Sequence, residues 1–452
     1  MRHTILALLL SLAAPCTMRG QSHLAPCQET PEQKAQRMEW FDHAKLGIFI
    51  HWGIYAVNGI SESWSFYNNY IPYEDYMNQC RGFTASAYNP QQWAALIKQS
   101  GAQYAVITTK HHDGVSLWDT KVSKLSTRHA TAARRDVLTP FAKAIREQGL
   151  KLGFYYSLLD WSHPDYPNHT KTTIRYHIKD DSARWQRFLS FNNAQLSELS
   201  TTYHPDLFWF DGDWEQTAAD WHASEIVARL KHDNSKVVIN SRIQGYGDYA
   251  TPEQGIPILR PQARYWELCA TMNDSWGYQP LDNNIKPTHM LLRTFVDCLS
   301  KGGNLLLGIG PRADGTIPQW QQDVLKEFGR WTSKHHEAIY HTQAGLPAEC
   351  FQGYTTLSPD STTLYLYLPS PPGHGLVEVK GIANTVHRVW VVGNGHILSH
   401  KVYNKNFWNA HPGNIYISVP TSVLDPQITV LALLLDGPLR LDLGTGRPIT
   451  AN

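Results

Sequence analysis

The chain has 452 residues, a formal net charge of +1 and 17% charged residues, with no basic block and no acidic tail. That length exceeds one ordinary core and predicts two domains, and the charge balance points away from nucleic acid and from an anionic membrane surface. Aromatic residues reach 12%, 16 of them Trp, a composition that suits a carbohydrate site or simply a large core.

At the start, Arg2 and His3 precede an apolar run from Ile5 to Ala14. This is the layout of a secretory signal peptide over residues 1–20, and the run is too short to span a bilayer. Pro15 directly before Cys16 argues against a lipoprotein. No other segment is apolar enough to cross a membrane, so the mature protein is expected to be exported to a periplasmic, extracellular or lysosome-like compartment. The cysteines at 16, 27, 80, 269, 298 and 350 are irregularly spaced and form no CxxC pair. One or two disulfides stay open and unassigned.

Further along, a polar helix over residues 29–42 leads into a strand at 46–53, ending in His51-Trp52-Gly53. An aromatic loop over 58–76 carries Glu62, Trp64, Tyr67 and Tyr70. A helix at 90–100 precedes a strand at 104–110, which runs into His111-His112-Asp113-Gly114. The rhythm repeats with a helix at 138–148 and a strand at 152–157 that includes Tyr156. A long helix at 184–199 precedes a wholly apolar strand at 207–210, closed by Asp211 and turned by Gly212. Then come a helix at 221–231, a strand at 237–240 leading to Arg242, a strand at 264–268, a helix at 290–300, a strand at 304–309 and a last helix at 324–340. At least seven such units predict an α/β fold, an irregular (β/α)8-like barrel over residues 21–344. An open doubly wound sheet is the rival, and no Gly-rich phosphate loop follows the first strand.

From residue 345 the texture changes. Strands are expected at 363–368, 386–392, 415–419 and 428–435, with turns at Asn394-Gly395 and Pro412-Gly413. This predicts an antiparallel β-sandwich over 345–452. Trp390 and Trp408 are expected to pack in its core or between domains, with a lectin-like platform as the alternative.

In a parallel barrel the carboxyl ends of the strands converge on one mouth. That collects His51, His111, His112, Tyr156, Asp211 and Arg242 from separate parts of the chain. Strand alternation puts Leu207, Trp209 and Asp211 on one side and Phe208 and Phe210 on the other. An acidic residue closing such a strand beside an aromatic wall reads as catalytic, and the plainer alternative is a cap on the following turn. His111-His112-Asp113 invites a metal reading. The adjacent residues point different ways and lack His-x-His or His-Glu-x-x-His spacing, so hydrogen-bonding imidazoles are preferred, with no metal and no cofactor.

These residues resemble the retaining exo-α-L-fucosidases of glycoside hydrolase family 29. The likeness runs from about Trp40 to Tyr340 through five ordered landmarks: Gly47-Ile48-Phe49-Ile50-His51-Trp52-Gly53; Thr109-Lys110-His111-His112-Asp113-Gly114; Leu207-Phe208-Trp209-Phe210-Asp211-Gly212; Tyr265-Trp266-Glu267-Leu268-Cys269 with Ser275-Trp276-Gly277-Tyr278; and the stretch from Ser300-Lys301-Gly302-Gly303 to Leu307. The resemblance implies a barrel with a C-terminal β-sandwich, Asp211 as nucleophile, and His51, His111, His112, Tyr156, Trp209 and Arg242 as fucose-pocket residues. Trp64 and Trp276 fit as walls against the sugar's methyl group and apolar face. The family varies at the acid/base. Glu253, on a loop where a proton donor can stand at the rim, is favoured over Glu267, which sits deeper on a strand. Asp213 and Glu215 read as supporting loop residues. The implied partner is a fucosylated glycan. A fucose-binding protein without catalysis, or a hydrolase of another sugar on the same barrel, are the rival functions.

Overall fold

The structure is a computed structural model that describes residues 29–405, 407–408 and 411–444. The leader read over residues 1–20, together with Cys16 and Cys27, lies outside the described residues. Seven parallel strands build the main sheet: β1 (Leu46–Ile50), β2 (Tyr104–Lys110), β3 (Lys151–Ser157), β4 (Leu207–Asp211), β5 (Val238–Ile239), β6 (Glu267–Thr271) and β7 (Asn304–Ile309). Their spatial order is β5-β4-β3-β2-β1-β7-β6. All are buried almost end to end, because helices cover the outside and side chains fill the inside.

The sheet curls, and its open seam between β5 and β6 is bridged by an irregular segment over residues 249–253. Tyr249 pairs with Asn240 on one side, while Ala250 and Glu253 pair with Trp266 and Cys269 on the other. Here the barrel has seven strands and an eighth, irregular stave. The irregularity has local causes. Asn240 spends its side-chain amide on the backbone of Phe210, accepting from its N–H at 2.8 Å and donating to its carbonyl at 2.9 Å, which ends the regular ladder. A Cβ at Gly247 would lie 1.9 Å from Asn240 O, so only glycine lets the chain turn back this closely. Asp248 then anchors the segment, its carboxylate held by Arg37 at 2.8 Å and its N–H donating to Ile239 O.

Helix α1 (Pro31–Ala44) plugs the floor. A Thr30–Gln33 capping box and Pro31 start it, and Met38, Phe41 and Ala44 pack into the lumen with Tyr104, Leu207 and Tyr249. The long helix α4 (Ser182–Tyr203), after α2 (Pro90–Gln99) and α3 (Leu138–Glu147), covers the outer face beside α5 (Ala223–Asp233), α6 (Thr288–Ser300) and α7 (Gln319–Lys334). Two expected helices end at other residues than their apolar patterns suggest, 223–233 rather than 221–231 and 319–334 rather than 324–340. His222 adopts φ 54° and separates α5 from a preceding turn at Ala218–Trp221, and α7 stops at His335 before a short helix at His336–Ile339. β6 starts at Glu267, later than the expected 264–268, because Tyr265 and Trp266 pair with Ala250 of the irregular seam.

Beyond the barrel lie two antiparallel sheets. One has six strands, β8 (Gln343–Ala344), β9 (Tyr354–Leu357), β10 (Thr363–Leu368), β12 (Val386–Val391), β13 (Ile397–Leu398) and β16 (Thr429–Leu435); the other joins β11 (Leu376–Val379), β14 (His400–Tyr403) and β15 (Asn414–Ser418). Leu364, Leu366, Val389, Leu431 and Leu433 face Val377, Ile415 and Ile417 in the core between them. The opposite face of the larger sheet, with Tyr367, Val430 and Ala432, joins the barrel's apolar layer. Arg330 and Lys334 of α7 clamp Asp425 there, and Trp331 donates to Ile428 O. Trp390 is partly buried beneath the Arg388 guanidinium. Trp408 does not pack as expected: it is 68% exposed beside Phe407, on the connection between β14 and β15 where no facing layer covers it. Among the described residues Cys80, Cys269, Cys298 and Cys350 are buried and unbridged, and no helix is long and apolar enough to cross a membrane.

Candidate active site

The alternation read for residues 207–211 holds. Leu207 and Trp209 enter the lumen cluster and Phe208 and Phe210 face the helices. Asp211 therefore ends β4 at the mouth, pointing inward, and Gly212 at φ 83° lets the chain turn immediately behind it. Arg242 donates to one carboxylate oxygen of Asp211 at 3.1 Å, and Tyr155 donates to the other at 2.9 Å. Burial raises the Asp211 pKa, while the adjacent guanidinium and the phenol hydrogen bond pull it back toward the ionised form. The Arg242 guanidinium also lies over the Trp209 ring, 4.5 Å from its centre.

Tyr156 is not at the mouth. Its hydroxyl donates to Asn192 and Gln195 of α4, and Lys110 sits 4.4 Å over its ring, all on the outer side of the sheet. The pocket tyrosine is its neighbour. In the β3–β4 register Tyr155 pairs with Trp209 and Ser157 with Asp211, and paired residues of parallel strands share a face. Sequence reasoning missed Tyr155 because a register between strands fifty residues apart leaves no local signal.

The histidines line the side of Asp211 opposite Arg242. His112 Nε2 lies 3.7 Å from Asp211. Its Nδ1 meets Ser157 Oγ at 2.6 Å, and that hydroxyl donates onward to Leu159 O at 2.8 Å. Nδ1 must then carry the ring hydrogen, which leaves Nε2 as an acceptor. Burial, aided by the nearby Lys110 ammonium, depresses the His112 pKa to about 3, so the ring is neutral. His111 is fixed through Nδ1 to Ser63 Oγ at 2.6 Å, and it stacks on Tyr155. His51 stacks on Trp276, its ring centroid 4.8 Å away. Burial holds both His51 and His111 well below the usual histidine range. His51 Nδ1 and His112 Nε2 are buried without a hydrogen-bond partner. Neutral imidazoles with free polar atoms suit hydroxyl recognition. Among the described residues no group of three His, Cys, Asp or Glu is arranged to hold a metal ion.

Two aromatic loops wall the pocket and are tied together. Glu62 accepts the Gly277 N–H at 2.7 Å, joining the loop of Trp64 to that of Trp276, and burial raises its pKa to about 7. Trp64 meets His112 edge-on at 5.5 Å and stacks at 6.2 Å on Trp214, a residue the sequence reading passed over. Asp213 and Glu215 flank Trp214 and hold the turn: Asp213 accepts from Gln244 N, and Glu215 accepts from Trp161, Tyr166 and Asn168.

The two candidate acids separate by depth. Glu253 ends the irregular stave, its side chain 40% exposed, and accepts from Arg242 Nη2 at 2.7 Å. Arg242 thus spans Asp211 and Glu253. Glu267 is fully buried near the floor, accepting from Tyr104, from Trp209 Nε1 at 3.0 Å and from Tyr249 at 3.4 Å. Burial raises its pKa to about 7, and it orients the indole of Trp209.

A buried carboxylate bonded to arginine, a second carboxylate at the rim and neutral imidazoles within an aromatic cup can bind and cleave a sugar. Comparisons with known proteins agree. Residues 13–337 match the family model for α-L-fucosidase. An α-L-fucosidase of Branchiostoma floridae is 33% identical over 368 residues, covering 75% of this chain and 79% of the relative. The structure of α-L-fucosidase isoenzyme 1 from Paenibacillus thiaminolyticus superposes with a TM-score of 0.80 at 34% identity, covering 89% of this chain and 99% of that one. A family 29 α-L-fucosidase of Bacteroides thetaiotaomicron, trapped as a covalent intermediate with 2-fluoro-fucosyl fluoride, superposes with a TM-score of 0.78 at 28% identity, covering 88% and 96%. With a matched span that contains every residue of the pocket just described, the chain belongs to the α-L-fucosidases of glycoside hydrolase family 29.

Proposed function

We propose that the protein is an exo-acting, retaining α-L-fucosidase that releases terminal L-fucose through a covalent fucosyl-enzyme. The observation that carries this reading is the Asp211–Arg242–Glu253 chain, one guanidinium bridging a buried carboxylate and an exposed one. In the first step an oxygen of Asp211 attacks the anomeric carbon while Glu253 gives its proton to the departing glycosidic oxygen. In the second, Glu253 takes a proton from water, the water oxygen bonds to the anomeric carbon, and Asp211 leaves. Arg242 keeps Asp211 ionised before attack and neutralises it again as it departs. His51, His111 and His112 read the fucose hydroxyls, with His112 Nε2 accepting, and Trp64, Trp209 and Trp276 enclose the ring and its methyl group. The covalent intermediate trapped in the Bacteroides relative supports the same path here.

We assign residues 1–20 to a leader for export, 21–344 to the catalytic barrel and 345–452 to the C-terminal β domain. Proton NMR of the first-formed sugar tests the mechanism: retention yields the α anomer of fucose. An inverted β product would require carboxyls about 6.5–9.5 Å apart rather than about 5–5.5 Å, and would remove Asp211 as nucleophile.

A further inference from the structure

We infer that Trp214 is a platform for the sugar that carries the fucose, so that the enzyme selects aglycones with an apolar pyranose face. This rests on the fucosidase reading above. Trp214 is 51% exposed, unusual for an indole beside a pocket. Its exposure is built rather than incidental. It sits on a single turn, Asp213–Glu215, directly after the strand that ends in Asp211. Both neighbours are tied inward. Asp213 accepts the Gln244 N–H at 2.6 Å, and its carbonyl accepts from Trp221 Nε1 and Gln244 Nε2. Glu215 is locked by Trp161, Tyr166 and Asn168, at 3.1, 2.7 and 2.7 Å. The turn is thus held from both sides with only the indole left standing outward.

The ring is also oriented. It lies nearly parallel to Trp64, 15° between planes, and meets His112 edge-on at 6.0 Å. Trp64 and Trp214 therefore form a two-step wall rising from the pocket toward solvent. Glu253 stands on the other side of Asp211: Arg242 links it to one carboxylate oxygen, whereas His112 and its two tryptophans flank the second. In this reading a leaving group protonated at Glu253 extends out of the fucose pocket, across Asp211 from the exposed ring of Trp214. Pyranoses present C–H faces that stack on indole, and a rigid ring loses little entropy in receiving them.

The test compares two substrates of the full-length enzyme. α-L-Fucosyl fluoride has no aglycone ring, and an α-L-fucosyl galactoside has one. Trp214→Ala is expected to lower the ratio of kcat/KM for the galactoside to that for the fluoride about five- to tenfold, the scale of one aromatic stack. Trp214→Leu, which keeps an apolar side chain on the turn, should lose the same factor, and Trp214→Phe should keep most of it. Thermal melts of all three identify any variant that fails to fold, and the remaining variants then decide the ratio. An unchanged ratio, whether both rates fall together or neither moves, would overturn the platform and leave the fucosidase reading intact. If the unaltered enzyme turned over neither substrate, that reading would fall and the platform with it.

Discussion

Glu267 and Asp211 both reach into the barrel lumen from parallel strands, one at the start of β6 near the floor and one at the end of β4 at the mouth. Around Glu267 every nearby donor is spent: Tyr104, Trp209 and Tyr249 all point their hydrogens at it. Around Asp211 the accounts do not close. Arg242 and Tyr155 bond to it, yet His112 Nε2 at 3.7 Å and His51 Nδ1 stay buried without partners. Folding alone rewards the first arrangement and penalises the second, since an unmet buried polar atom costs about 1–3 kcal/mol. The difference teaches that the floor is wired for stability and the mouth is held open for a ligand's hydroxyls.

The sharpest way to break this contrast is Asp211→Ala. It should abolish turnover of all fucosides alike, by on the order of 10⁴ or more, as removal of a covalent nucleophile does. Substantial residual turnover with retention, measured by fucose release, would move the nucleophile elsewhere.

Glu253→Ala comes next, with a loss of about 10²–10⁴ for fucosides with basic leaving groups. An aryl fucoside with a good leaving group should lose far less in its first step. The intermediate on Asp211 should then accumulate, and azide, which needs no general base, should restore turnover as α-fucosyl azide, the retained product. If azide rescued Glu267→Ala instead, the floor carboxylate would be the acid and the contrast would collapse.

Tyr155→Phe removes one hydrogen bond to a charged group and should cost roughly ten- to a hundredfold in kcat/KM. Tyr156→Phe should leave the kinetics unaltered and show its effect in the thermal melt, because its hydroxyl serves α4. Equal kinetic losses in both would contradict the inward and outward assignment.

The smallest effect concerns pH and Glu267. Its folded pKa, about 7, lies above its ordinary value of 4.5, so between those limits the unfolded chain ionises first and binds fewer protons. Stability should therefore fall as pH rises from about 4.5 to about 7 and level off above that. Glu267→Gln should flatten the part of this slope that Glu267 supplies while leaving the leaving-group dependence of the rate untouched. Chemical denaturation at pH 5 and pH 8 measures it. A slope identical to that of the unaltered protein would mean that Glu267 is ionised in the fold.

Much of this was legible in the chain because it depends on local pattern. Apolar runs of four to seven residues between amphipathic helices announce buried parallel strands whatever their partners, and alternation alone turned Trp209 and Asp211 to the same side as Leu207. The positions of His51, His111-His112 and Asp211 at strand ends follow from where each run stops. Tertiary structure decided the rest. Tyr155 rather than Tyr156 faces Asp211 because the β3–β4 register and the closeness of α4 choose the face, and both are contacts between distant residues. Glu253 reaches the rim because Asn240, Gly247 and Asp248 bend the chain into an irregular eighth stave, where side chains replace the ladder hydrogen bonds. Trp214 looked like any other aromatic beside Asp211; only the inward anchoring of Asp213 and Glu215 leaves its ring outside. Periodicity records which side of an element is apolar, but which polar atoms find partners is settled only when the distant elements meet.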